Sequence, residues 1–388
     1  MPKPAGLRGF ESWHDDGKGM AQISRLSMLT GSSMRTAENK KKALNINLGG
    51  NMTIDTKNNL NSSKLSTFSR WCALLLLAVL GGQGVAYAQD TYPNKSLRLL
   101  VPYPPGGVTD YASRTIAERL GRELGQSVII ENKAGAASTI ASNITARATP
   151  DGYTAYAAPV SIVINPVLQG KVEYDPYKDF QPISMMLTSP FVLHANKDFK
   201  AKDVKELIAL VRANPDKYSI GTSGIGSINH LAAEYFIKTF GLKMAVIHYK
   251  GGAPAAQDLI GGQIEMMFSA LNEALPFVTS GRTKGMAVSV AKRVALFPDL
   301  PTIDEASGTT GFDAVFWVAL MTPAKVPAQV LARLTAAMQV VGQDQNLASD
   351  LAQKGVYLRV SSPEEVNQFM QRDGEKWGRL IRDLGIKE

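Results

Sequence analysis

One stretch constrains what this chain can fold into more than any other: Leu97-Arg98-Leu99-Leu100-Val101-Pro102-Tyr103-Pro104-Pro105-Gly106-Gly107-Val108-Thr109-Asp110-Tyr111. An apolar run, a stiff Pro-Pro-Gly-Gly turn and a periodic segment read as buried strand, turn and helix. The helix is expected to begin near Thr109 or Asp110, with either residue able to cap it. Its first turn presents backbone N–H groups that no intrahelical carbonyl reaches, at the positive end of the helix dipole. Such a unit suits an anion, and a small carboxylate is the expected guest. A plain strand-to-helix turn, where Gly and Pro are also common, is the alternative. Asp110 is ambiguous, because a carboxylate facing a bound anion repels it; it is expected to cap, or to meet a ligand hydroxyl or amine.

The same grammar continues along the chain. Ile116, Leu120 and Leu124 share one helical face, Gly125 ends that helix, and Ser127–Asn132 and Tyr153–Ala157 read as further strands around a helix near Ser138–Ala148. Strands alternating with helices in short units imply a doubly wound sheet. Ser189–Ala195 reads as a strand crossing into a second lobe, which repeats the pattern, and Phe316–Leu320 as the return crossing. The expected architecture is therefore α/β and two-lobed: residues 89–192 with 316–388 in lobe 1, residues 193–315 in lobe 2, and a ligand between them. The C-terminal stretches Ala328–Val341, Ala348–Gln353 and Glu364–Leu384 read as amphipathic helices.

A second glycine turn, Thr222-Ser223-Gly224-Ile225-Gly226-Ser227, also lies between a strand and a helix. Its hydroxyls and amides form a candidate second cradle, with Ser227 as N-cap in the bland reading. Ligands of such sheets bind beyond the carboxyl ends of the strands, where both turns fall.

The charge distribution excludes one class of partner. Of the 42 basic and 34 acidic residues, 11 and 5 lie in residues 1–88, which leaves 31 against 29 in residues 89–388. A near-neutral globular part lacks the basic stripe of a nucleic-acid binder. The single cysteine, Cys72, precedes the globular part, so no thiol chemistry is expected there. Residues 1–51 read as a disordered tail or as a stretch upstream of a true start at Met52. After Met52 come a basic region (Lys57, Lys64, Arg70), the apolar run Ala73–Leu80, and Ala86-Tyr87-Ala88 before Gln89. That reads as an export signal over residues 52–88 with cleavage after Ala88, so secretion is expected, with a retained membrane anchor as the alternative.

Catalytic patterns are absent from the sequence. Ser223 has no glycine two residues later, as a nucleophile elbow requires. His194, His230 and His248 have no metal-ligand spacing. No Walker loop or dinucleotide fingerprint occurs, so no cofactor is expected. Each histidine reads as a structural or surface residue, with His230, in a first helical turn, the one placed to reach a ligand. Trp317 and Trp377 read as core, with Trp317 placed where a cleft wall could be.

Dispersed landmarks add a resemblance. Tyr92-Pro93 with Val101–Asp110, Asp151-Gly152-Tyr153-Thr154, Asn165-Pro166, Tyr174-Asp175-Pro176, Gly224–Ser227 with His230-Leu231, Tyr249-Lys250-Gly251, Asp258-Leu259 and Pro298–Thr302 occur in the order seen in one group. The sequence resembles the Bug family, the extracytoplasmic solute receptors of tripartite tricarboxylate transporters, over nearly all of residues 92–388. The resemblance implies a monomeric periplasmic receptor with a two-lobed, type II-like periplasmic-binding-protein fold, each lobe a doubly wound mixed sheet, that closes on a small organic acid and passes it to membrane permease subunits. The acid could be a di- or tricarboxylate, an aromatic acid or an acidic amino acid. It also implies carboxylates held by loop amides and bridging waters, with little use of an arginine clamp. By position the first cradle is Tyr103, Pro105, Gly106, Gly107, Thr109 and Asp110, and the opposing one Thr222, Ser223, Gly224 and Ser227. Ala158 and Ser161 lie in the loop after the third strand, and Phe268 and Ser269 in a segment that often carries an Asp. Ser269 replaces that Asp here, and Ala136-Ala137-Ser138 stands where relatives have more glycine. A sensor passing its signal to a membrane partner, and an enzyme built on the same scaffold from Asp110, Ser223 and His230, are the competing functions.

Overall fold

The structure is a computed structural model that describes residues 92–387. The expected extension (1–51), the export signal (52–88) and its cleavage after Ala88 lie outside the described residues.

The chain opens with β1 (Leu97–Val101), α1 (Val108–Leu124), β2 (Val128–Asn132), α2 (Thr139–Ala146), β3 (Thr154–Pro159) and α3 (Ser161–Leu168). The long strand β4 (Phe180–Asn196) follows. The pattern then repeats as α4 (Val204–Ala213), β5 (Ser219–Thr222), α5 (Ile228–Phe240), β6 (Ala245–His248), α6 (Gly252–Gly261), β7 (Met266–Ala270), α7 (Leu271–Thr279), β8 (Thr283–Val288) and α8 (Ile303–Ser307). β9 (Val315–Pro323) returns, and α9 (Ala328–Val341), α10 (Gln345–Gln353), β10 (Tyr357–Leu358) and α11 (Pro363–Leu384) complete the described chain.

The strand order is β2-β1-β3-β9-β4-β7-β5-β6, with β8 and β10 also pairing β4. β2, β1 and β3 are mutually parallel, as are β6, β5 and β7, while β9 and β4 join the two sets through antiparallel pairings. The sheet is therefore mixed, and β4 is the strand both halves share. Residues 180–190 of β4 pair with β9, and residues 191–196 with β7 and β8. The transfer falls just after Pro190, a residue with no N–H to give to a ladder.

Burial explains the local choices. Leu97, Leu99, Leu100 and Val101 of β1 are fully inside, each side chain contributing about 1.5–3 kcal/mol by leaving water. In α1 the buried residues Ile116, Leu120 and Leu124 recur every four positions, the spacing read from the sequence. α11 starts at a capping box of Ser362 and Glu365 with Pro363 at its first position. One apolar cluster runs from Tyr156 and Ile162 through Phe191 to Phe236 and Phe268, so it underlies both halves of the sheet. Trp317 belongs to that core: it is fully buried and its Nε1 donates to Asp373 Oδ2 at 2.7 Å. It is therefore not a cleft wall.

Candidate functional site

Strand direction alone assembles the site. β3 runs with β4 and β7 runs against it, so their carboxyl ends point toward each other. β3 ends at Pro159, whose partner Val318 pairs with Leu187; β7 ends at Ala270, which pairs with Phe191. Both ends therefore meet one strand four residues apart, about 13 Å at strand rise. The turns after β1 and β5 lie one strand farther out on either side. Both follow strand carboxyl ends, the side on which ligands of such sheets bind.

The first turn is held from within. α1 begins at Val108 with Gly107 as its N-cap, slightly earlier than the expected start at Thr109 or Asp110. Asp110 is the third helical residue and reaches backward: its Oδ2 accepts the Gly106 N–H at 3.0 Å and the Arg114 Nε–H at 2.9 Å. Asn132 Nδ2, at the end of β2, donates to Asp110 Oδ1 at 2.8 Å and to the Tyr103 carbonyl at 2.9 Å. Arg114 in turn donates to Asn132 Oδ1 at 3.0 Å. Gly106 sits at φ +88°, in the region closed to side chains that its place in this ring requires. Burial alone would raise the Asp110 pKa, but the bonds from Arg114, Gly106 and Asn132 outweigh it and hold the carboxyl below its usual range.

Asp110 is turned inward on the Gly106 N–H and Arg114. Gly106 and Gly107 are exposed. Among the described residues nothing accepts the N–H groups of Gly107, Val108 and Thr109. Thr109 itself is buried. Tyr103 is half-buried with its ring edge on Phe316, 6.3 Å between centroids, and burial pushes its phenol pKa up.

The second turn is occupied by its own side chains. Asn229 Oδ1 accepts from Ser223 Oγ (2.8 Å), Ser227 Oγ (2.6 Å) and, weakly, the Ser223 N–H (3.3 Å). Its Nδ2 donates to the Phe268 carbonyl. Ser227 caps α5 by accepting the His230 N–H. The Gly226 N–H goes to His230 Nδ1 at 3.0 Å, and His230 Nε2 lies 3.5 Å from Glu234. Both ring nitrogens of His230 are thus engaged within the protein. The Gly224 N–H makes a long 3.4 Å contact to Thr222 Oγ1, which also meets His248 Nδ1 at 2.8 Å. Burial and the nearby His230 lower the His248 pKa. A side chain at Gly226 would strike Leu168 Cδ2 of α3 at 2.0 Å, so this turn abuts the end of α3 closely.

The remaining sequence-derived residues divide. Ala158 is buried in β3, and Ser161 opens α3, whose presence the sequence reading missed by treating 158–162 as loop. The Ser161 hydroxyl meets Ser138 Oγ at 2.6 Å. The Phe268 ring packs on Phe236 and Phe312, inside the core. Ser269 Oγ is 2.9 Å from Nε2 of the buried His194, whose Nδ1 meets Thr283 Oγ1 at 3.0 Å. Neither side chain is free for a ligand. The residues that order the site, Asn132 and Asn229, were not singled out from the sequence. Glu273 was also missed. It stands in the first turn of α7, and its Oε2 lies 3.3 Å from where a Cβ on Gly252 would be. It is solvent-exposed by area yet crowded by surrounding protein, as at the wall of a hollow, and that crowding raises its pKa. No group of potential metal ligands occurs among the described residues.

Residues 112–386 match the family described as tripartite tricarboxylate transporter family receptor, TctC. This chain belongs to that family. BugT of Bordetella pertussis is 30% identical to this TctC receptor over 322 residues, covering 80% of this chain and 98% of that one. The solved periplasmic binding protein BugD is 34% identical with a TM-score of 0.65, covering 76% of this chain and all of that one (100%). MatC from Rhodopseudomonas palustris, solved with bound malate, is 28% identical with a TM-score of 0.63, covering 75% and 100%. The mixed α/β architecture is thus that of the periplasmic binding proteins, as expected from the sequence.

Proposed function

We propose that this chain is a periplasmic receptor that captures a small carboxylate between two lobes and delivers it to a membrane permease. The observation that carries the reading is the first turn. Its carboxylate is paired with Arg114 and turned inward, while the N–H groups of Gly107, Val108 and Thr109, at the head of a 17-residue helix, have no acceptor among the described residues. That arrangement attracts an anion without a guanidinium contact. The malate in MatC supports the same ligand class. The lobes are 89–192 with 316–388, and 193–315; β4 and β9 are the segments about which they close. Export through cleavage after Ala88 places the receptor in the periplasm.

The engagement of Asp110, Ser223 and His230 in internal hydrogen bonds argues against catalysis. A thermal-shift panel of malate, adipate, benzoate and glutamate tests the reading. Binding to the folded state alone stabilises by about 2.7 kcal/mol at a hundredfold excess over the dissociation constant. A shift with neutral sugars or peptides and none with any acid would overturn it.

A further inference from the structure

The ring around Asp110 contains a charge balance that the ligand site depends on. The Asp110 side chain is 5% exposed, directly behind N–H groups proposed to receive an anion. An uncompensated carboxylate there would repel the ligand it helps to seat. The cation beside it is Arg114, one helical turn on, with Nε 2.9 Å from Asp110 Oδ2 and its other branch fixed by Asn132 at 3.0 Å. Among the described residues no other charged group pairs with that carboxylate. Glu131, next along β2, is already paired with Arg98 and Lys133 at 2.8 Å each. The turn contributes only the Tyr103 carbonyl, through Asn132.

We propose that Arg114 is a positioning residue for ligand capture: from outside the site it cancels the Asp110 charge, so that Asp110 can shape the turn without repelling a carboxylate. Asn132 sets the geometry of the pair by gripping both partners. Arg114 is half exposed on the outer face of α1, so it compensates the charge without occupying the space where the ligand sits. The inference rests on the carboxylate reading above.

The test is calorimetric titration of the full chain with malate and with adipate, from mildly alkaline to mildly acidic buffer. The proteins are the native chain, Arg114→Gln, Arg114→Lys and Arg114→His. Arg114→Gln should bind about tenfold more weakly in alkaline buffer, the scale of one partly screened charge contact. The gap should shrink on acidification, because Asp110 without its cation takes up a proton more readily. Arg114→Lys should keep most of the affinity. Arg114→His should bind weakly in alkaline buffer and recover in acid, as imidazole charges; it carries the test if the glutamine variant does not fold. A gap of constant size across pH, or a lysine variant as weak as the glutamine one, would mean that shape and not charge matters, and would sink the inference alone. Failure of the native chain to bind either acid at any pH would remove the carboxylate reading and this inference with it.

Discussion

The two glycine turns occupy matching places in the two halves of the sheet, after β1 and after β5, yet they spend their donors differently. In the first, one carboxylate draws the Gly106 N–H inward and leaves the following amides unsatisfied. In the second, Asn229, His230 and Thr222 take up hydroxyls and amides alike. Similar turn sequences therefore give one surface that needs a partner and one that largely does not. On the proposed reading, anion recognition belongs to the first turn, and the second supplies shape and its few remaining contacts.

Substitution at the hub of each turn would break this contrast most sharply. Asp110→Ala frees the turn and strands Arg114, and should weaken malate or adipate binding by about a hundredfold while costing about 1–3 kcal/mol of stability. Asn229→Ala should cost about as much stability, since Ser223, Ser227 and the Phe268 carbonyl lose their partner, but weaken binding less than about fivefold. Titration calorimetry and urea denaturation on the two variants measure both quantities. Equal binding losses would erase the distinction. Gly106→Val is a smaller disturbance: the space is open and only the φ of +88° opposes a side chain, at about 1–2 kcal/mol, with binding reduced through the displaced turn.

Acid should also separate the halves. His194, in the part of β4 that pairs with β7 and β8, is held by burial at a pKa of about 3, against 6.5 for an unperturbed histidine. The unfolded chain protonates first, so stability is lost progressively as pH falls from 6.5 toward about 3. Asp110 is lowered below its usual value, so its contribution holds above the unfolded carboxylate range and fades only as pH falls through the folded one. His194→Gln should flatten the stability curve in mild acid and leave the steeper loss in stronger acid. A histidine variant with an unchanged curve would contradict this.

Much of the framework was legible because burial imposes periodicity. β1, α1, α5 with its Ser227 cap, and α9 follow from spacing and punctuation in the chain. Proline hid other elements: β4 was readable only from Ser189, Pro182 interrupting the part before it, and α3 and α7 carry Pro166 and Pro276 inside them. The glycine turns could be found, but their different states could not. Asn132 acts on residues 22 and 29 positions earlier, and no local motif announces such a bond. Phe268 and Ser269 are buried with partners inside the protein, since position near a strand end does not say which face a side chain takes.

The smallest expected effect concerns Glu273. Its carboxylate stands beside Gly252 at the start of α6 and should disfavour a second anionic group bound nearby. Glu273→Gln should raise affinity for dicarboxylates roughly two- to threefold, the size of a solvent-screened contact, and leave benzoate unchanged. An equal gain for benzoate would point to packing instead of charge.

Amide resonances of the isotopically labelled receptor, followed while malate or adipate is added, test the central claim most directly. The Gly107, Val108 and Thr109 N–H protons should move strongly downfield as they acquire an acceptor, with Gly224 and Gly226 changing little. Large shifts at Gly224 and Gly226, with residues 107–109 undisturbed, would place the anion on the opposite turn and contradict the account.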